Sequence, residues 1–71
     1  MIVVDWKEYG DRVHDARRRK RMTQLELAER IGVNVNTLSA IERGVASPRL
    51  TTVLALRIVL GIGFPPSQGD L

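Results

Sequence analysis

The chain contains no cysteine, which excludes disulfide frameworks, cysteine-ligated zinc and thiol catalysis. Its one histidine, His14, has no carboxylate cluster around it at ligand spacing, so no metal site is expected. Aromatic residues make up only 4% of the sequence, which leaves aliphatic side chains to build the core. Long apolar runs are missing too. Val53 to Leu56 and Ile58 to Leu60 fall far short of the roughly 20 residues that a membrane span requires. Ile2 to Val4 is too short for a signal-peptide core and has no basic flank before it, so the expectation is a cytoplasmic protein with no membrane partner. No glycine-rich phosphate loop, Ser–His–Asp order or pair of catalytic carboxylates can be assembled from these residues. Enzyme activity is therefore excluded, and no cofactor is expected.

What remains is a small chain with an uneven charge. Its 71 residues, 44% hydrophobic and 27% charged, suit one globular domain. That domain is read as an arm over 1–4, a helical core over 5–61 and a tail over 62–71. The net charge is +3. Residues 1–16 carry a balance of −2, from Asp5, Glu8, Asp11 and Asp15 against Lys7 and Arg12, whereas residues 17–71 carry +5. Such asymmetry points to a polyanion partner, although a membrane surface or a merely solvated charge run gives the same composition.

Helix start signals recur at three places. Asp5 precedes Glu8, Thr23 precedes Glu26 and Asn34 precedes Thr37, each pair three residues apart as in a capping box or its relatives. Each cap is also bracketed by apolar residues placed as a hydrophobic staple: Val4 with Tyr9, Met22 with Leu27, and Val33 with Leu38. Gly32, Gly44 and Gly61 stand where helices should stop, in the left-handed position that glycine occupies without a Cβ penalty. The spacing predicts helices over 5–20, 24–31, 35–43 and about 49–60. The last begins at either Pro48 or Leu50, since proline is tolerated at a helix start. Only Ile2 to Val4 has any strand character, so the fold class is all-α.

The helical faces sharpen this reading. Trp6, Tyr9, Val13 and Ala16 recur at helical spacing and form an inward stripe on helix one, with Arg17 at its border. Leu27, Ala28 and Ile31 form the inward face of helix two. On helix three, Leu38, Ile41 and Glu42 cluster on one side, while Asn36, Ala40 and Arg43 lie almost opposite. Residues 23–44, TQLELAERIGVNVNTLSAIERG, thus describe a helix, a tight glycine turn and a second helix built to present its outer face. This is the helix-turn-helix, whose second helix enters the DNA major groove.

The sequence resembles the lambda-repressor-like (XRE or Cro-type) helix-turn-helix proteins. The resemblance is carried by Gly10, Arg17, Thr23–Gln24, Leu27–Ala28, Gly32–Val33, Leu38–Ser39, Ile41–Glu42–Arg43–Gly44, Pro48 and Leu60–Gly61, in collinear order over about residues 10–61. It implies a compact bundle of four or five helices that binds operator DNA, usually as a dimer. It also implies that Val35, Asn36 and Ala40 read bases, and of these three only Asn36 can form a bidentate contact, with adenine as its geometric partner. Gln24, at a helix N-terminus where free N–H groups attract anions, resembles a phosphate contact, but it also reads as a solvated first-turn residue. Val35 is equally compatible with inward packing. Thr37 and Ser39 are candidates for phosphate or base contacts, and Arg43 and Arg49 resemble the family's backbone or minor-groove contacts. Arg18 to Arg21 read as a largely solvated run, with one or two members touching phosphate. Arg17 and Glu42 are expected to form a structural ion pair, because Glu42 points inward and the family has Arg and Glu at these positions.

Two departures from the family pattern follow. Pro65, Pro66 and Gly69 leave no room for a stable fifth helix. Helix four is apolar nearly all round, and a helix of that kind needs cover on every face. The expected cover is a second copy, giving a homodimer through Leu56, Val59, Leu60, Ile62 and Phe64, with the N-terminal arm as a further contributor. The leading function is a sequence-specific transcriptional regulator of phage or bacterial type, a repressor bound to double-stranded DNA. The alternative is an antitoxin-type or other interaction component whose helix four and termini bind a small partner protein.

Overall fold

The computed structural model describes residues 2–65 and 67–69. Asp5 opens the first helix, α1 (Trp6–Arg19), by accepting the Glu8 N–H at 2.9 Å. Glu8 does not return the bond as a full capping box requires; its carboxylate instead accepts from Arg12 Nε at 3.2 Å. At Thr23 the box is complete. The Glu26 N–H donates to Thr23 Oγ1 at 3.1 Å, and the Thr23 N–H donates to Glu26 Oε1 at 3.0 Å, opening α2 (Gln24–Ile31). Asn34 opens α3 (Val35–Glu42) by a tighter loop than the Asn34–Thr37 spacing suggested, accepting the Asn36 N–H at 2.7 Å. The last helix, α4 (Leu50–Leu60), follows Pro48 and Arg49 and has no side-chain cap.

Gly32, Gly44 and Gly61 all hold positive φ angles of 71–75°, so the chain turns out of three helices where glycine stands. The exit from α1 is made by Arg21, at φ 56°, a residue that the sequence did not mark as a stop. Ile2–Val4 and Ser67–Gly69 form two short strands, β1 and β2, paired antiparallel with Val3 opposite Gln68. The regions read as arm and tail are thus joined through their backbones. With four helices and this one small ribbon among the described residues, the class is all-α.

One hydrophobic cluster holds the helices together: Tyr9, Val13 and Ala16 from α1, Leu27 and Ala28 from α2, Leu38 and Ile41 from α3, Val53, Leu56 and Leu60 from α4, and Met22 from the first turn. Trp6 meets Tyr9 edge-on, with ring centroids 5.9 Å apart. α1 crosses α3 at Gly10, where a Cβ would lie only 2.7 Å from the Glu42 carbonyl oxygen. That close approach brings the first half of α1 against the last turn of α3.

The faces of α4 correct the expected dimer surface. Leu56 is fully buried in its own chain and Leu60 is 6% exposed, because both point into the cluster beneath α4. Val59 and Ile62 are half-buried against the same cluster. Leu56 and Leu60 are therefore spent on the monomer core and cannot face a partner. The apolar residues left outside are Leu50, Leu54 and Ile58, spaced four apart on one face, with Ile58 83% exposed. Phe64 is also exposed, and its ring lies 4.9 Å from the Arg57 guanidinium. Among the described residues no helix is long and apolar enough to cross a membrane.

Candidate nucleic-acid interface

α2 and α3 are joined by a short turn that depends on Gly32. The Val33 N–H reaches back to the Ala28 carbonyl at 3.0 Å, which closes α2 while the left-handed glycine redirects the chain. Asn34 then caps α3 with its own side chain, so turn and helix start are fixed by adjacent residues. Leu38 and Ile41 are buried, and they fix the rotation of α3 about its axis.

That rotation decides what α3 presents. Asn36, Thr37 and Arg43 are exposed, and Ser39 and Ala40 are half-buried. Val35 is half-buried and packs against the core cluster, the inward of its two sequence readings. Its freedom to meet a base is correspondingly reduced. Asn36 remains the amide group on the outer face, and its backbone N–H is already satisfied by Asn34.

The inner side of α3 is anchored by charge. Arg17 Nε donates to Glu42 Oε2 at 2.8 Å and Arg17 Nη2 to Glu42 Oε1 at 3.1 Å, a forked contact. The same guanidinium donates from Nη1 to the Met22 carbonyl at 2.8 Å. Gln24 Nε2 donates to Glu42 Oε1 at 3.2 Å. One arginine thus ties α1, the turn before α2 and the last turn of α3 together. The sequence reading did not include Gln24 in this network. Its side chain is therefore not an idle solvated group, and of its two amide protons one is left to donate outside the chain. A polar residue at the start of α2, close to an inward Glu42, is a signal that was present but not decisive.

Among the described residues, exposed positive charge is paired on the first half of α1 and unpaired beyond it. Lys7 and Arg12 are matched by Asp11 and Glu8 along α1. Bonding to Asp11 raises the Lys7 pKa above its ordinary value. By contrast Arg18, Arg19, Lys20, Arg21, Arg43 and Arg49 are exposed and make no ion pair among the described residues. Hydrogen bonds from Thr23 engage the Glu26 carboxylate and hold its pKa below the usual value, so it stays ionised in the capping box.

A shallow groove of about 480 Å³ separates α3 from the start of α4, lined by Asn34, Thr37, Ser47, Arg49 and Thr51 among others. The first N–H groups of α4 have no side-chain cap at this edge, and Arg49 stands beside them. Exposed N–H groups next to an arginine suit a backbone phosphate. Ser47 and Thr51 were not among the sequence candidates; the missing cap residue ahead of Leu50 was the available clue. Among the described residues no group of three or more His, Asp or Glu side chains gathers to hold a metal ion.

Comparison with known proteins agrees with this geometry. A helix-turn-helix family model matches residues 13–65. An uncharacterized HTH-type transcriptional regulator of Methanothermobacter thermautotrophicus is 43% identical over 51 residues, covering 72% of this chain and 71% of its own length. The cryptic phage CTXphi transcriptional repressor RstR of Vibrio cholerae is 37% identical over 62 residues, 87% of this chain but 56% of the repressor. Among solved structures, the restriction-modification controller protein C.AhdI of Aeromonas hydrophila superposes with a TM-score of 0.76 at 29% identity, over 83% of this chain and 89% of that one.

Proposed function

The chain belongs to the lambda-repressor-like helix-turn-helix family of DNA-binding transcriptional regulators, and we propose from that premise that it represses transcription by occupying operator DNA as a homodimer. The observation that carries this reading is the division of α3: Leu38, Ile41 and Glu42 are locked inward, while Asn36, Thr37 and Arg43 are exposed and Ala40 is half-buried beside them. Asn36 reads a base in the major groove, with adenine as its bidentate partner, and Ala40 allows close approach. Thr37, Ser39, Arg43 and Arg49 hold the sugar-phosphate backbone, which sets register and affinity. Gln24 adds a phosphate contact through the amide proton that Glu42 does not take. Val35 lines the edge of the base-facing surface rather than its centre.

The dimer uses the corrected face of α4. Leu50, Leu54 and Ile58 form an apolar stripe of the kind that a second copy covers, with Phe64 and Val59 at its margin. Two-fold pairing would present two recognition helices to half-sites about 34 Å apart. The action is cytoplasmic, where the DNA is, and needs no cofactor.

Selection of bound duplexes from random DNA, followed by binding over a range of salt, tests this. The expected result is a two-fold symmetric site and a log–log salt slope of roughly −0.9 for each phosphate neutralised. Equal affinity for selected and random duplexes would contradict sequence-specific repression.

A further inference from the structure

Arg21 is the one non-glycine residue among those described with a positive φ, 56°. It sits in the turn that closes α1: the Met22 N–H donates to the Arg17 carbonyl at 3.2 Å, and the Arg21 N–H to the Arg18 carbonyl at 3.0 Å. In this closure the left-handed position is the one that glycine fills without strain. A side chain there crowds the following carbonyl, so an arginine makes the turn less stable than it need be. Among the described residues the Arg21 side chain is exposed and makes no hydrogen bond or ion pair that would compensate.

The turn is nevertheless held firmly against the recognition helix. Arg17 bonds the Met22 carbonyl, one residue beyond Arg21, and with the same guanidinium bonds Glu42 in the last turn of α3. Arg21 also lies two residues before Thr23, whose box fixes the start of α2. Its backbone therefore has a set position relative to the helix that enters DNA, unlike that of a charge on a frayed helix end.

We propose that Arg21 is a DNA-phosphate contact, kept in a left-handed backbone position so that its guanidinium grips the duplex beside the start of α2. This rests on the DNA-binding reading above. Strain retained at an exposed cation has a function when the charge meets a ligand, and a planar guanidinium suits phosphate oxygens. The position exchanges fold stability for affinity.

The test compares the full chain with Arg21→Gly, Arg21→Lys and Arg19→Ala, by thermal melting and by salt-dependent binding to a short random-sequence duplex. Arg21→Gly is expected to raise the melting midpoint by about 4 °C and to flatten the salt slope by roughly 0.9. Arg21→Lys, which keeps both charge and backbone, leaves the midpoint and the slope near those of the parent. A higher midpoint with an unchanged slope in Arg21→Gly overturns the contact, and an unchanged or lower midpoint overturns the strain. Equal flattening by Arg19→Ala assigns the effect to the general field of the basic run and also overturns the proposal. If the parent chain does not bind duplex at all, the DNA-binding reading itself fails.

Discussion

Arg17 Nε lies 2.8 Å from Glu42 Oε2, and the two side chains are only 12% and 3% exposed. This contact joins the end of α1 to the last turn of the recognition helix. Removing one member of such a pair strands a buried charge and typically costs about 3–5 kcal/mol. Arg17→Met is expected to lose that much stability in urea denaturation, and Arg17→Met with Glu42→Leu to recover part of it. Additive losses in the double-mutant cycle would show that the two residues do not couple.

Tyr9 is fully buried, and its hydroxyl has no hydrogen-bond partner among the described residues. Burial pushes its pKa up to about 12 from the ordinary tyrosine value of 10.0. The folded state therefore holds the phenolic proton more tightly than the unfolded state. This contribution is fully present below pH 10.0 and is lost as the pH rises toward about 12. Tyr9→Phe removes an unsatisfied polar group without opening a cavity, so it is expected to be neutral or stabilising by up to about 1 kcal/mol near neutral pH. Between those pH values the stability of Tyr9→Phe should fall less steeply than that of the parent. Destabilisation of Tyr9→Phe at neutral pH would reveal a hydrogen bond to that hydroxyl.

Gly32 and Gly44 share a φ of 75° but differ in their surroundings. A Cβ at Gly32 meets nothing within 4 Å, whereas one at Gly44 would lie 2.6 Å from the Lys7 Cα. Gly32→Ala is expected to cost only the left-handed strain, about 1–2 kcal/mol. Gly44→Ala must also displace the start of α1 and should cost clearly more. Equal losses in chemical denaturation would mean that α1 and the α3 exit do not pack as described.

Opposite sides of α4 separate folding from assembly. Leu56→Asp places a charge in the core and should abolish the folded state. Ile58→Asp alters a side chain that is 83% exposed, and it should leave the circular dichroism spectrum intact while yielding a monomer by sedimentation. A dimer that survives Ile58→Asp and Leu54→Asp would place the interface elsewhere.

Local chemistry was readable where the determinants are close in sequence. Thr23 with Glu26, the stop at Gly32 and the inward Leu38 and Ile41 are set by neighbours within a turn or two, and the helices follow from them. Which side of α4 faces the core was not readable, because an almost uniformly apolar helix has no polar stripe to orient it; only packing against α1 and α2 assigns Leu56 inward and Ile58 outward. The Gln24 bond to Glu42 spans 18 positions and joins different helices. Pairing of Ser67–Gly69 with Ile2–Val4 is more distant still, in a segment with little strand propensity. Arg21 was hidden for the opposite reason: arginine ordinarily avoids the backbone angle that it adopts here.

If the outward face of α3 reads sequence, Asn36 is its base-specific group. The most direct measurement is the affinity of the parent and Asn36→Ala for the selected duplex and for every single-base-pair variant of it. Asn36→Ala is expected to lose about 1–3 kcal/mol on the best site, with discrimination relaxed at one base pair and retained elsewhere. An equal loss on every duplex, leaving the preference at each position unchanged, would contradict that role.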